Sequence, residues 1–255
     1  MKPKFVIRLL AVMVVFYSCQ DSMAQKNDWE KEGLKGKVKM VKEVKYNTND
    51  TLIKVQKEEM VFNEEITYNE TGNIIEDTTY QFGLLGCKNV FKYDNNGNRI
   101  EKNFYVANDK LMSRAIYKYD SIWNCIERAE YNSDSSLGTK ITFKYDDKGN
   151  IVEELHYKSD GRPDSKFIYK FDDKRNKIEE YFYKSDGSLN NKTTFKYDDK
   201  GNYFESKKYK HNGKLDFKAK YKYVYDAYGN WIKRIGMKDG RKTFYWVTER
   251  EIIYY

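Results

Sequence analysis

The chain has 255 residues, 47 Lys and Arg against 39 Asp and Glu, and 24 Tyr and 14 Phe among its aromatics. The only histidines are His156 and His211, and no His-Glu-x-x-His, Gly-rich phosphate loop or nucleophile elbow occurs, so the sequence points away from an enzyme, a metal site or a cofactor. The positive surplus comes as single Lys residues interleaved with Glu, the pattern of a solvated face; a nucleic-acid partner is not expected.

Lys2, Lys4 and Arg8 precede an apolar run from Leu9 to Tyr17, and Ser22-Met23-Ala24 follows as a small-residue cleavage site, which together read as a signal peptide over residues 1–24. A second processing route uses Cys19 as the lipid-carrying first residue of a lipoprotein. Both routes place the mature chain outside the cytoplasm, in the periplasm, at the outer membrane surface or secreted. The apolar run is shorter than the roughly 20 residues that a permanent transmembrane helix needs.

Residues 25–37 are polar apart from Trp29 and Leu34 and are expected to form a tether or one short helical turn. Residues 38–46 alternate in the manner of a first strand, Asn47 to Asp50 suit a hairpin, and residues 52–68 form an imperfect repeat of the kind that ends a stack.

From Tyr68 onward one pattern returns: an aromatic, then Asp or Asn, two variable residues, usually Gly, then Asn. It starts at Tyr68, Tyr93, Tyr119, Tyr145, Phe171, Tyr197 and Tyr225, at spacings of 25, 26, 26, 26, 26 and 28 residues. A fixed period of this length means one supersecondary unit stacked on itself. Between anchors lies a second turn signal, such as Lys158-Ser159-Asp160-Gly161 and Lys184-Ser185-Asp186-Gly187. Asp-Gly there suits a two-residue hairpin, whereas the anchor turn suits a hairpin closed by a bulge with Gly at positive φ. Each repeat therefore holds two strands. Thr243 to Tyr255 are expected to supply the closing strands.

Ahead of each anchor stand pairs such as Phe91-Lys92-Tyr93 and Phe143-Lys144-Tyr145, with the aromatics on one face and Lys on the other. After it, Ile100, Ile126, Val152, Ile178, Phe204 and Ile232 precede Tyr105, Tyr131, Tyr157, Tyr183, Tyr209 and Met237 by five residues, an odd step. Either a bulge resets the face or these Tyr residues serve the second turn. The expected fold is all-β, an antiparallel meander of about 14 to 17 strands, curled as a single sheet or solenoid-like, in one repeat domain over residues 38–255. A membrane barrel is disfavoured because both strand faces carry charge at mid-strand, as at Glu153 and Glu154. Cys87 and Cys125 fall on strands three spacings apart, roughly 14 Å, too far for a disulfide, and are expected to be buried free thiols.

Tyr93-Asp94-Asn95-Asn96-Gly97-Asn98, Tyr145-Asp146-Asp147-Lys148-Gly149-Asn150, Tyr197-Asp198-Asp199-Lys200-Gly201-Asn202 and Tyr225-Asp226-Ala227-Tyr228-Gly229-Asn230 resemble the repeat of the YD-repeat, or Rhs-like, family. With its flanking strands the resemblance covers about residues 38–255. Asn stands where Arg is common in that family, the period is longer, and Trp123 and Arg175 replace the Gly. The resemblance implies a β-repeat, and as one alternative role a shell or an immunity-type partner of a toxin. The leading expectation is an exported envelope module that binds a glycan or a surface protein without catalysis. The candidate contact residues are aromatics that interrupt the turn rule or flank it: Trp123, Tyr203, Tyr228 and Trp231.

Overall fold

The computed structural model describes residues 27–48, 62–81, 84–106, 109–239 and 245–255. The expected signal peptide over residues 1–24, Cys19, the tip of the expected first hairpin and residues 240–244 lie outside these. A short helix, α1 (Asp28–Glu32), precedes β1 (Val38–Thr48), β2 (Phe62–Tyr68), β3 (Ile74–Gln81) and β4 (Leu84–Tyr93). Then come β5 (Arg99–Val106), β6 (Lys110–Tyr119), β7 (Cys125–Asn132), β8 (Leu137–Tyr145), β9 (Ile151–Tyr157) and β10 (Pro163–Phe171). The chain ends with β11 (Lys177–Lys184), β12 (Leu189–Tyr197), β13 (Tyr203–Lys210), β14 (Leu215–Tyr225), β15 (Trp231–Lys238) and β16 (Tyr245–Tyr254).

The 16 strands of the described residues pair antiparallel in chain order, as the two turns per repeat predict, but the sheet does not stay open. β16 pairs with β1 from Val38↔Tyr254 to Thr48↔Tyr245, closing a barrel and correcting the expected curled sheet or solenoid. Closure removes both sheet edges at once. The sequence contains its cause in the bulges. Lys92 pairs with Glu101 and Tyr93 with Arg99, so Ile100 is the extra residue; Ile126, Val152, Ile178, Phe204 and Ile232 repeat this. A second bulge follows where Tyr105 pairs with Leu111 and Phe104 with Ser113. Each bulge adds bend and twist in the same sense, and two per repeat accumulate into a full turn of the sheet. The odd five-residue step in the leaving strand is thus the bulge, sited at the apolar residue itself.

Both turns of the repeat are three-residue loops. At the anchor turn the Asp146 N–H donates to the Asn150 carbonyl (3.0 Å) and the Gly149 N–H to the Asp146 carbonyl (2.9 Å), with Gly149 at φ 75°. Asp146 Oδ1 accepts from the N–H groups of Lys148 and Asn150, while Asn150 Nδ2 donates to Asp146 Oδ2 at 2.9 Å. The same Asp–Asn clasp recurs at Asn98, Asn124 and Asn176, which accounts for an Asn where the resembled family has Arg. The second turn was expected to be a two-residue hairpin and is not. Lys158 and Arg162 flank its three-residue loop, and only Gly161 takes positive φ, because Asp160 serves as a side-chain acceptor for the Arg162 N–H.

α1, in the stretch expected as a tether or one helical turn, is closed by a capping box between Asn27 and Glu30 and a left-handed Gly33. Trp29 and Leu34 pack on the cluster Val38, Val41 and Tyr68, so α1 covers the seam where β16, β1 and β2 meet. Asn27 Nδ2 donates to the Thr71 carbonyl, and Asn230 clasps the backbone of Lys35 from both sides. The segment is thereby fastened across the end of the barrel that carries the anchor turns.

That docking identifies the inner face. Through its own side chains α1 reaches Tyr93 of β4 and Arg99 of β5, and its Glu32 feels Glu43 of β1 and Arg250 of β16. Five helical residues span about 7.5 Å, whereas six adjacent strands span about 24 Å of sheet, so only the concave side offers such contacts. The lumen is therefore lined by the aromatic face, including Phe91, Tyr93, Tyr119, Tyr145, Phe171 and Tyr197, which share one face as expected and are half-buried. The outer wall carries Lys and Glu: Lys92–Glu101, Lys118–Glu127, Lys144–Glu153 and Lys170–Glu179 are ion pairs at 2.7, 2.7, 2.7 and 3.0 Å. Below them, Lys88, Lys140 and Lys166 lie over the rings of Tyr105, Tyr157 and Tyr183. A circular barrel of this strand number, tilted by roughly 40°, has a backbone radius of about 16 Å, enough for a solvent-filled lumen.

Candidate functional site

Every leaving strand begins with a residue that faces the lumen at the anchor-turn mouth. In five of the seven copies its carbonyl accepts a hydrogen bond from the neighbouring hairpin, while its side chain differs from copy to copy. Tyr93 donates its hydroxyl to the Ile74 carbonyl (2.7 Å), Tyr119 to Arg99 (2.8 Å), Tyr145 to Cys125 (2.8 Å), Tyr197 to Lys177 (2.8 Å) and Tyr223 to Tyr203 (2.9 Å). The hydroxyl belongs to the next hairpin, so these bonds lace neighbouring repeats together. Since any residue presents a carbonyl, this slot is free to vary, and it holds Ile74, Arg99, Cys125, Ile151, Lys177, Tyr203 and Trp231. In the last copy Tyr223 takes the role of the anchor and Tyr225 lies beyond it, against Asp198 and Asn202; this accounts for the longer 28-residue step.

Two of the four candidate aromatics, Tyr203 and Trp231, occupy this slot, two strands apart on the lumen wall with β14 between them. Tyr203 meets Phe195, Tyr197 and Tyr221 edge-on, with the Tyr221 centroid at 4.9 Å. Arg234 donates to the Tyr203 hydroxyl at 3.0 Å and lies near the faces of both Tyr203 and Trp231. Arg250 also lies over the Trp231 ring, at 3.5 Å from the centroid, while its guanidinium is paired with Glu43 at 2.6 Å. Arg234 has no carboxylate partner among the described residues; its guanidinium is held by the Tyr203 hydroxyl, the Thr248 hydroxyl at 3.5 Å and the two rings. Burial pushes the phenols of Tyr203 and Tyr223 up, so both stay neutral hydrogen-bonding groups at neutral pH.

The other two candidates stand apart on turn tips. Trp123 is 50% exposed at φ 65°, and Arg175 adopts φ 66°, so both non-Gly residues take the left-handed slot and Asn124 and Asn176 do not relieve them. Tyr228 is 57% exposed and packs against Tyr254, the ring centroids 4.4 Å apart and the planes tilted by 32°. Cys87 and Cys125 are unpaired, as the strand spacing predicts, but half-buried rather than fully buried; burial pushes the Cys125 thiol to about 11.

Sequence reasoning missed the lumen's charged groups. On β5 to β7, Arg99, Lys102 and Arg128 face inward around the small side chains of Ala115 and Ser113. Arg99 is bound by Asp28 of α1 (3.0 Å) and by Tyr93 (3.1 Å). Burial opposes the Asp28 charge, but Arg99, Lys31, the Ile74 N–H and the Tyr93 hydroxyl together hold its carboxyl below the usual carboxylate range. No group of three or more His, Cys, Asp or Glu placed to hold a metal occurs among the described residues. The available signal was the parity of the strands, which puts Lys102 and Arg128 on the aromatic face, away from the outer lysines.

No protein-family model and no curated protein matches the chain. Among solved structures it is similar to a porin-like protein from Bacteroides uniformis, at 9% identity and a TM-score of 0.58 over 85% of this chain and 98% of that one. A porin-like protein from Bacteroides vulgatus aligns at 12% identity and a TM-score of 0.44, over 86% of this chain and 99% of that one. A TcdB2-TccC3-Cdc42 structure aligns at 11% identity and a TM-score of 0.22, over 71% of this chain and 14% of that one. The first likeness shows a shared barrel fold; the other two are too distant in shape to add to it.

Proposed function

We propose that the chain is an exported, non-catalytic envelope barrel that stands in water and binds a glycan or a surface protein at the anchor-turn mouth of its lumen. The observation that carries this reading is the variable slot: where the neighbouring hairpin bonds it, it bonds the backbone carbonyl, so the side chain can vary, and at β13 and β15 it is filled by Tyr203 and Trp231 beside Arg234, which has no carboxylate partner among the described residues. Aromatic faces next to a guanidinium suit sugar rings or a protein side chain, with hydroxyl and carboxylate groups taken by the Arg fork. The export signal at residues 1–24, or lipidation at Cys19, supplies the location, and the paired Lys and Glu of the outer wall suit water rather than hydrocarbon. The Rhs-like shell or toxin-partner role draws no separate support from the geometry.

The test is a glycan array and an envelope pull-down with the mature chain, repeated with Trp231→Ala, Arg234→Gln and Trp123→Ala. Loss of the captured ligand in the first two variants, with Trp123→Ala unchanged, supports the mouth. Loss in Trp123→Ala alone would move recognition to the turn tips. Capture that survives all three substitutions would refute the assignment of these residues.

A further inference from the structure

We infer that the wall formed by β5 to β7 is a separate site for a small organic anion, bearing one phosphate or carboxylate group, and that Asp28 of α1 occupies part of it in the structure described here. This wall lies six to eight strands from Tyr203, on the opposite side of the lumen, and the inference does not depend on what the mouth binds.

Three observations support it. Lys102 on β5 pairs with Ala115 of β6, and Arg128 on β7 pairs with Tyr117 two residues on, so the two long cations stand on either side of the smallest side chain of that strand, close enough for Arg128 to lower the Lys102 pKa. Ala115 is completely buried, with that charge above it. Lys102 makes no ion pair among the described residues, and Arg128 Nε is buried without a hydrogen-bond partner there. An unpartnered buried guanidinium N–H is costly, and native proteins keep one where a ligand or ordered group completes it. Finally, the third cation, Arg99, does have an anion: the carboxylate of Asp28, delivered from outside the sheet by a five-residue helix. A guanidinium fork that accepts this carboxylate also accepts a ligand carboxylate or phosphate.

The charged groups facing Lys102 agree with this. Burial lowers its pKa, the neighbouring Arg128 and Arg99 lower it further, and Glu130 and Asp77 oppose them without winning. Glu130 is itself engaged by the Ser113 hydroxyl at 2.8 Å. β5 to β7 themselves thus carry Arg99, Lys102 and Arg128 against the one inward carboxylate of Glu130, with Asp28 from α1 and Asp77 from β3 making up the balance, and an anion entering from the mouth can take over the part that Asp28 plays.

Isothermal titration of the mature chain with glucose 1-phosphate, glucuronate and uncharged glucose tests the site. Heat from either anion and none from glucose is expected, with the two anions separating a phosphate from a carboxylate specificity. Lys102→Met should weaken binding by about tenfold or more, since it removes a desolvated charge without changing packing volume. Asp28→Asn frees Arg99 and should tighten it several-fold, by roughly the cost of displacing the internal carboxylate. Far-UV circular dichroism checks that each variant is folded; if Lys102→Met is not, Arg128→Lys, which keeps the charge and loses the fork, takes its place with the same expected loss. Absence of anion binding in both the parent and Asp28→Asn overturns the inference. So does binding that neither cation variant weakens, or that Asp28→Asn weakens while the barrel stays folded.

Discussion

Phe171 is the one interior anchor without a hydroxyl, and restoring it measures what the lacing bonds contribute. In five copies a Tyr hydroxyl reaches the first carbonyl of the preceding strand at 2.7 to 2.9 Å. Phe171 pairs with Lys177 in the register that Tyr145 has with Ile151 and Tyr197 with Tyr203, so its ring points at the Ile151 carbonyl. Phe171→Tyr adds one neutral hydrogen bond to a half-buried acceptor with no change in backbone, worth about 1 kcal/mol net. In a domain of this size that corresponds to a rise of about 2–4 °C in Tm. The introduced phenol stays protonated at pH 7, since burial pushes Tyr145 in the equivalent slot above its ordinary value. Tyr145→Phe and Tyr197→Phe should each cost about 1 kcal/mol or slightly more, because they leave a half-buried carbonyl short of a partner. Thermal melts and guanidinium titrations of the three variants report both signs. Losses in the two Tyr→Phe variants with no gain in Phe171→Tyr would mean that the hydroxyl works through ring placement, and the lacing argument would fail.

Four other outcomes follow from the same geometry. Trp123→Gly should gain about 0.5 kcal/mol, the relief of left-handed backbone at an exposed ring less the added freedom of the unfolded chain, whereas Arg175→Gly should be near neutral because it also loses the Arg175 Nε bond to Asn150 Oδ1 (3.0 Å); urea midpoints decide. Gly72→Ala should destabilise by about 2 kcal/mol or more and loosen α1, since at φ 87° its Cβ would come within 2.6 Å of the Trp29 ring, and Trp29 fluorescence measured against Trp29→Phe would show it. Acid should release α1. The Asp28 carboxyl lies below its unfolded value, so the stability it contributes is complete above about pH 4 and is lost as pH falls through its folded value; Trp29 emission unchanged down to pH 2 would refute this. Asn150→Ala should cost about 1–2 kcal/mol in the same urea assay, because it removes the clasp on Asp146 from a nearly buried position.

The sequence by itself determined the local half of this protein. The 26-residue period, two turns per repeat, antiparallel order in chain sequence, and a strand number near 16 all follow from Gly, Asp and Asn punctuating alternating residues, because turn chemistry and side-chain parity act over a few residues. The Phe-Lys-Tyr alternation fixed which residues share a face, and Cys87 and Cys125 could be kept apart by counting strands. Tertiary structure decided the rest. Whether two bulges per repeat curl the sheet just enough for Val38 to meet Tyr254 depends on bend summed over all 16 strands, a quantity that no single repeat reveals. Once the sheet closed, curvature turned the aromatic face into a lumen wall. It also brought Asp28, about 70 residues away in the chain, onto Arg99, and set Tyr203 and Trp231 beside Arg234. Asp28 and Arg99 share no turn and no period, and they meet because the curvature of the closed sheet lets a segment docked at the β16–β1–β2 seam reach β5 across the concave face.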